Sequence, residues 1–380
     1  MDQDKNPLSA DYIVSTSLPD LPLWNRVENR RPAFSFDLEL TARCNNDCRH
    51  CYINLPAGDA QAQHKELSLE EIDRIASQAV ELGALWCLIT GGEPLLRADF
   101  AEIYLLLKKK GLLVSVFTNA CLVTPEHIRL FQQYPPRDVE VTVYGTTRET
   151  YERVTRKSGS YKAFRRGLDR LMEGGIKVRL KAMAVRSNVH ELPEISRICR
   201  ALTADYYRFD PMLHLRYDGD PERNADIMAE RLNPVEIAAI EQADSERAAE
   251  VEKACSQIAS CEPNATGCAH IFHCGAGKAS FSVGYDGTFR LCSSLNHPDC
   301  TVNLRQTSLA DAWRNLVPRV LALESDSQDF REHCRTCPLI NLCLWCPANA
   351  YMEVGRMDGR SEYFCQVAQA RAEAAQKVRT

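Results

Sequence analysis

The chain has 380 residues, of which 45% are apolar and 26% charged, and its net charge is −5. That length allows two domains, and that composition belongs to a folded globular protein rather than a disordered one. A pI near 6.0 gives no bulk attraction to nucleic acid or anionic membrane, no stretch approaches eighteen uncharged apolar residues, and the N-terminus lacks the basic and apolar regions of a secretion signal, so a soluble cytoplasmic chain is expected.

Residues 1–32 are read as an N-terminal extension. From 33 to 215 the chain alternates short β-rich runs with amphipathic stretches, the pattern of βα units on a parallel sheet. The strand candidates are Phe34–Thr41, Trp86–Thr90, Leu112–Thr118, Val139–Tyr144, Lys177–Val185 and Tyr206–Asp210. Between the first two, Leu69–Leu82 reads as a helix with Ser68 as its cap and Gly83 as its stop. Six such units predict an α/β fold, a partial (β/α)6 parallel barrel.

Several of these strands alternate where fully covered parallel strands run continuously apolar. Phe34, Phe36, Leu38 and Leu40 oppose Ser35, Asp37, Glu39 and Thr41, and Val139, Val141 and Val143 oppose Glu140, Thr142 and Tyr144. With the apolar face on the outer helices, the polar face lines a lumen built for a polar ligand; solvent-facing edge strands are the alternative. Glu39, Glu140 and Asp210 are the candidate catalytic carboxylates of that lumen, and Lys181 or Arg179 is the candidate cation for a carboxylate ligand.

Residues 216–262 form a charged, helical connection with a run near Pro234–Ala259. Residues 263–380 form a cysteine-dense unit with turn signals such as Asp286-Gly287, closed by an Ala-rich helix over Cys365–Arg379.

Seventeen cysteines without a secretion signal point to metal or catalysis rather than disulfides. Six of them, Cys87, Cys121, Cys199, Cys255, Cys261 and Cys300, are scattered and read as small buried hydrophobes. Directly after the first strand stands Cys44-x3-Cys48-x2-Cys51, on the loop where such barrels carry their chemistry. Three thiolates there can hold three irons of a cubane and leave the fourth open; a zinc knuckle is the competing reading. The second strand ends in Thr90-Gly91-Gly92-Glu93-Pro94, glycines that let backbone approach closely followed by a carboxylate.

Together these two motifs resemble the radical S-adenosylmethionine (SAM) superfamily. The resemblance implies that Cys44, Cys48 and Cys51 bind a [4Fe–4S] cluster, that Gly91, Gly92, Glu93 and Pro94 hold the methionyl amine, and that Asn119 and Thr142 contact SAM. His50 departs from the family, which usually has an aromatic residue there. The implied chemistry is reductive cleavage of SAM to a 5′-deoxyadenosyl radical that abstracts hydrogen from a substrate.

The C-terminal cysteines, Cys268-x5-Cys274, Cys292, Cys334-x2-Cys337-x5-Cys343-x2-Cys346 and Cys365, resemble the SPASM module of auxiliary clusters. Eight thiolates close two cubanes. The family's interleaving assigns Cys268, Cys274, Cys292 and Cys346 to one and Cys334, Cys337, Cys343 and Cys365 to the other, giving three clusters in all; two residues rather than the usual three separate Cys343 from Cys346.

This resemblance implies a peptide or protein substrate and a reducing partner such as flavodoxin or ferredoxin. With so short an N-terminal extension, any leader would be bound by the barrel, the SPASM unit or a separate protein. Maturation of another enzyme's active site, sulfatase-type, or of a metallocofactor or haem-type product is the alternative, and a non-catalytic iron–sulfur carrier is a third. Against the sulfatase type, the family's Asp directly after the cysteine of its G-x4-C element is replaced here by Ser293 and Ser294, after Cys292.

Overall fold

Alternating strands and capped helices alternate along the computed structural model, which describes residues 32–203, 207–260 and 269–379. The strands are β1 (Ser35–Glu39), β2 (Arg43–Cys44), β3 (Leu55–Pro56), β4 (Trp86–Thr90), β5 (Leu113–Thr118), β6 (Asp138–Val143), β7 (Val178–Met183), β8 (Arg208–Asp210), β9 (Ser280–Val283), β10 (Thr288–Arg290) and β11 (Val302–Asn303). The six parallel strands β1, β4, β5, β6, β7 and β8 lie side by side in chain order, the arrangement expected of a partial (β/α)6 barrel. Phe36 and Leu38 share one core with Ile72, Ile75 and Ala76 of the first long helix. That helix, Leu69–Glu81, carries the Ser68 cap in a reciprocal capping box with Glu71, and Gly83 follows it at φ +100°.

The sheet does not stop at the boundary expected at residue 263. β9 pairs in parallel with β1, Ser35 opposite Ser280, and the Asp286-Gly287 turn returns the chain as the antiparallel β10, extended by β11. One nine-stranded sheet therefore runs from β11 to β8.

Two details of the helical connection differ from expectation. A helix at Pro221–Glu230 precedes the expected run, opened by Asp220, whose carboxylate accepts from the Glu222 and Arg223 amides. The run itself breaks at Asp244 into Pro234–Ala243 and Ser245–Ser260, because Asp244 leaves the helical region (φ −103°, ψ 113°) and accepts from the Arg247 amide. The closing helix spans Glu362–Arg379, and its Arg371 meets Glu241 at 2.7 Å in a fully buried ion pair. Residues 1–31, Cys261 and Cys268 lie outside the described residues. Among the described residues no helix is long and apolar enough to cross a membrane.

Candidate active site

The loop that follows β1 folds back through β2 and β3, which pair in parallel at Arg43–Leu55 and Cys44–Pro56, so the three cysteines sit between two pinned ends. Cys48 is buried, and Cys44 and Cys51 are partly exposed. The Asn46 and Asn54 amides point at the Cys44 and Cys51 sulfurs, each at 3.4 Å. Burial raises the Cys44 and Cys48 thiols well above their ordinary range, and the neighbouring cysteines reinforce the shift. Thiols that resist ionisation alone, but are met by amide donors, are suited to a cationic centre that displaces their protons. This donor set fits an iron–sulfur cluster.

Three arginines that sequence reading did not single out hold the loop from outside. Arg216, only 4% exposed, donates to the Cys51 and Asn54 carbonyls and to the Asn54 side chain. Arg223 bonds Asp47 and Asn54, and Arg156 bonds the Asp47 carbonyl and carboxylate. Arg216 and Arg223 flank the Asp220-Pro221 helix start, a capping signal that marks the helix but not its place beside the loop.

The loop opens onto a cavity of ≈ 370 Å³, within the range of small-molecule sites. Gly91, Gly92, Asn119, Thr142 and Lys181 line it, together with Asp210 at its exposed rim. The Asn119 side chain reaches toward the Cys44 sulfur at 3.7 Å and bonds Asn45 at 2.9 Å. The His50 ring is tilted against Tyr144 with centroids 5.2 Å apart, and burial lowers its pKa to about 4.

The glycines act first on the protein itself. A Cβ at Gly92 would meet the Arg43 carbonyl at 2.4 Å, and one at Gly91 would meet that of Thr41 at 2.3 Å. They let the end of β4 bond the start of the cysteine loop, Gly92 to Thr41 at 2.7 Å and Glu93 to Arg43 at 2.9 Å.

Several expected lumen groups point elsewhere. Glu93 does not line the cavity: fully buried, its carboxylate accepts from the Leu95 and Asn119 amides and the Thr118 hydroxyl, and burial pushes it up to about 7. Three donors thus fix the Glu93 carboxylate, two on Oε1 and one on Oε2, which keeps one acceptor position. Pro94 is buried beside it and does not line the cavity either. Glu140 is buried between Lys181 at 2.5 Å and Arg208 at 3.2 Å, and Glu39 is paired with Arg290 in a neighbouring chamber. Arg179 faces Asp138 at 3.9 Å, outside the cavity. Of the three candidate carboxylates, Asp210 alone borders the cavity, while Ser293 and Ser294 line it beside Cys292.

In the C-terminal unit the structure brings the cysteines into two groups. Cys274, Cys292 and Cys346 act on one another electrostatically, as do Cys334, Cys337, Cys343 and Cys365. Among the described residues no three His, Cys, Asp or Glu side chains close on a point as ligands of one metal ion would; a cubane, with its ligands on separate irons, asks for wider spacing. Of the scattered cysteines, Cys87, Cys121, Cys199 and Cys300 are buried and Cys255 partly so. Cys121 stands apart in touching the cluster loop, where it is met by the Asn46 amide group at 3.9 Å.

Residues 38–197 match the family described as the Radical SAM superfamily. The Fe-coproporphyrin III synthase of Methanosarcina barkeri is 33% identical over 156 residues, 41% of this chain and 38% of that protein. The AdoMet-dependent heme synthase of the same organism is 23% identical over 90% of this chain and 95% of its own length. The antilisterial bacteriocin subtilosin biosynthesis protein AlbA of Bacillus subtilis is 25% identical over 81% of this chain and 66% of that protein. In fold, the chain is similar to Streptococcus suis SuiB bound to precursor peptide SuiA, with a TM-score of 0.67, 14% identity, and coverage of 90% of this chain and 79% of that one. The cysteine loop and the close-packed glycines thus lie within the stretch, residues 38–197, that matches the Radical SAM superfamily, and residues beyond it complete the cavity they share.

Proposed function

We propose that this chain is a radical SAM enzyme that modifies a peptide. The observation that carries the reading is one cavity lined at once by the three loop cysteines, Gly91, Gly92, Asn119, Thr142 and Lys181. In it Cys44, Cys48 and Cys51 would hold a [4Fe–4S] cluster, and the two C-terminal cysteine groups would hold two auxiliary clusters, Cys268 being the fourth ligand that the SPASM resemblance assigns to the first. When bound and reduced by a donor such as flavodoxin or ferredoxin, the cluster and SAM supply a 5′-deoxyadenosyl radical able to abstract hydrogen. The chain's own residues orient and shield. Lys181 offers its ammonium to the SAM carboxylate, Asn119 and Thr142 offer polar contacts, and Asp210 at the rim is placed to take a proton from substrate.

A peptide is favoured over a haem-type substrate by charge. Lys181 is the cation of the described cavity lining and is already paired with Glu140, whereas Asp210 and a surplus of one carboxylate over the two guanidinium groups of the next chamber leave the combined lining net negative. Propionates would meet repulsion there. The haem-type reading keeps support from the near full-length similarity to a heme synthase.

Anaerobic incubation with SAM and dithionite tests the proposal: 5′-deoxyadenosine is expected, with about twelve irons per chain. About four irons plus zinc would overturn the three-cluster assignment, and absence of 5′-deoxyadenosine would overturn the enzymatic one. Turnover of an iron porphyrin, but of no peptide, would move the substrate to the second reading.

A further inference from the structure

A second chamber of ≈ 190 Å³ lies against the first, and Tyr52, Ile53 and Tyr217 line both, so single side chains form the wall between them. Its space equals about six waters of liquid volume, room for one long side chain. The floor is the buried Glu39–Arg290 pair, and Arg290 lies over the Tyr217 ring at 5.0 Å. Tyr52 packs edge-on to Tyr217 at 5.1 Å, and Tyr285 completes an aromatic lining.

The charges of this chamber do not balance. Three carboxylates, Glu39, Asp218 and Asp286, face two guanidinium groups, Arg216 and Arg290. Arg290 is committed to Glu39, and Arg216 to Asp218 at 2.6 Å. That leaves Asp286, whose Oδ1 accepts from the Thr288 amide at 3.1 Å, as the carboxylate with no ion pair inside the lining; Arg305, outside the lining, donates to its backbone carbonyl at 3.1 Å and feels its charge. A second acceptor waits beneath it: Glu39 Oε1 is buried with no hydrogen-bond partner. The field is felt by Tyr285, whose hydroxyl is raised by burial first and then by Asp286, Asp59, Glu39 and Glu66.

A lining with surplus negative charge, a spare buried acceptor and tyrosine faces is complementary to a cation carried on an apolar stem. We propose that this chamber receives a lysine or arginine side chain of the substrate, one or two residues from the residue presented to the SAM cavity. The spacing follows from the shared wall, since one extended residue advances the chain by about 3.5 Å. The assignment rests on the peptide reading above and sharpens it by naming a basic residue as the specificity determinant.

The test uses the anaerobic holoprotein with SAM and three probes: N-acetyl-lysine methylamide, its norleucine isostere and the glutamate analogue, with putrescine as a free-amine arm. Binding is followed by ligand-observed NMR. The lysine probe is expected to bind at least ten-fold tighter than norleucine, with glutamate weakest, and D286N is expected to erase that preference. Asn keeps the oxygen that accepts from the Thr288 amide and removes the charge; D286S, with a hydroxyl acceptor, repeats the test should D286N melt early. Putrescine binding as tightly as the lysine probe would replace the peptide side chain with a free polyamine and overturn the assignment. Equal binding of the three amino-acid probes, or a lysine preference that survives in both variants, would overturn it as well. Formation of 5′-deoxyadenosine by the wild-type protein reports on the enzymatic reading separately, so the two can fail independently.

Discussion

The cysteine loop after β1 and the cysteines beyond residue 269 are supported in opposite ways. Residues 44–54 are clamped at both ends by β2 and β3, bonded to the end of β4 by Gly92 and Glu93, and held by Arg156, Arg216 and Arg223. In the C-terminal unit, Cys334 ends a five-residue π-helical turn, Cys343 ends a four-residue helix followed by Leu344 in the left-handed region at φ +52°, and Cys274 is exposed. Helical pieces this short do not sustain themselves without tertiary support. In the barrel the fold prepares a place for a cluster; in the C-terminal unit the clusters are expected to prepare the fold, as structural metal sites do.

Alanine at three cysteines in each region breaks this comparison most sharply. Replacing Cys44, Cys48 and Cys51 should abolish SAM cleavage while about eight irons and the barrel's melting transition remain. Replacing Cys334, Cys337 and Cys343 should instead lower the melting temperature and expose the chain near residue 340 to protease, because the ligand that orders it is lost. Iron assay, circular dichroism and limited proteolysis read both. Equal loss of stability from the two triples would show that both regions depend on their clusters alike.

The same contrast governs what could be read from the sequence. Alternation such as Phe36 and Leu38 against Ser35 and Asp37 reports burial directly, so the six parallel strands were legible to within a residue or two. The Cys44-x3-Cys48-x2-Cys51 spacing was legible because it is local. Illegible were pairings with no local signature: β9 joining β1 across some 245 residues, Arg216 reaching Cys51, and Arg290 reaching Glu39. The surroundings of Glu93 were hidden for the same reason, since Thr118 and Asn119, which donate to it, come from the next strand and the turn after it.

The preformed barrel site carries a cost that pH should expose. Burial holds the Glu93 carboxyl at about 7 in the fold, against an ordinary carboxylate value in the unfolded chain. Between those values the folded state binds more protons, so stability is full below about pH 4.5, falls as pH rises through about 7 and levels off beyond it. The loss is about 3 kcal/mol at most. In the apoprotein, Glu93→Gln should remove it. Urea unfolding at pH 5 and pH 8 is expected to show the variant gaining on wild type at the higher pH; a difference that does not change with pH would return Glu93 to an ordinary carboxylate.

The smallest effect separates two cations on β7 that looked equivalent in the sequence. Lys181 reaches the cavity over the Phe117 ring, 3.7 Å from its centre, and Arg179 does not line it. Lys181→Met should weaken SAM binding by about 1.5–3 kcal/mol if its ammonium meets the SAM carboxylate. Arg179→Ala should change it by less than about 0.5 kcal/mol, as a partly exposed side chain away from the site. The complication is Glu140, which Lys181 neutralises at 2.5 Å and which would keep Arg208 at 3.2 Å as its remaining partner. Losing Lys181 could therefore harm SAM by leaving a less compensated carboxylate beside the cavity rather than by removing a contact. The double variant Lys181→Met/Glu140→Gln distinguishes the two. Affinity that stays low in the double variant assigns the contact to Lys181; affinity restored to the wild-type value makes Lys181 a counter-ion of Glu140 and leaves the SAM carboxylate to another donor, with the dissociation constant from isothermal titration deciding between them.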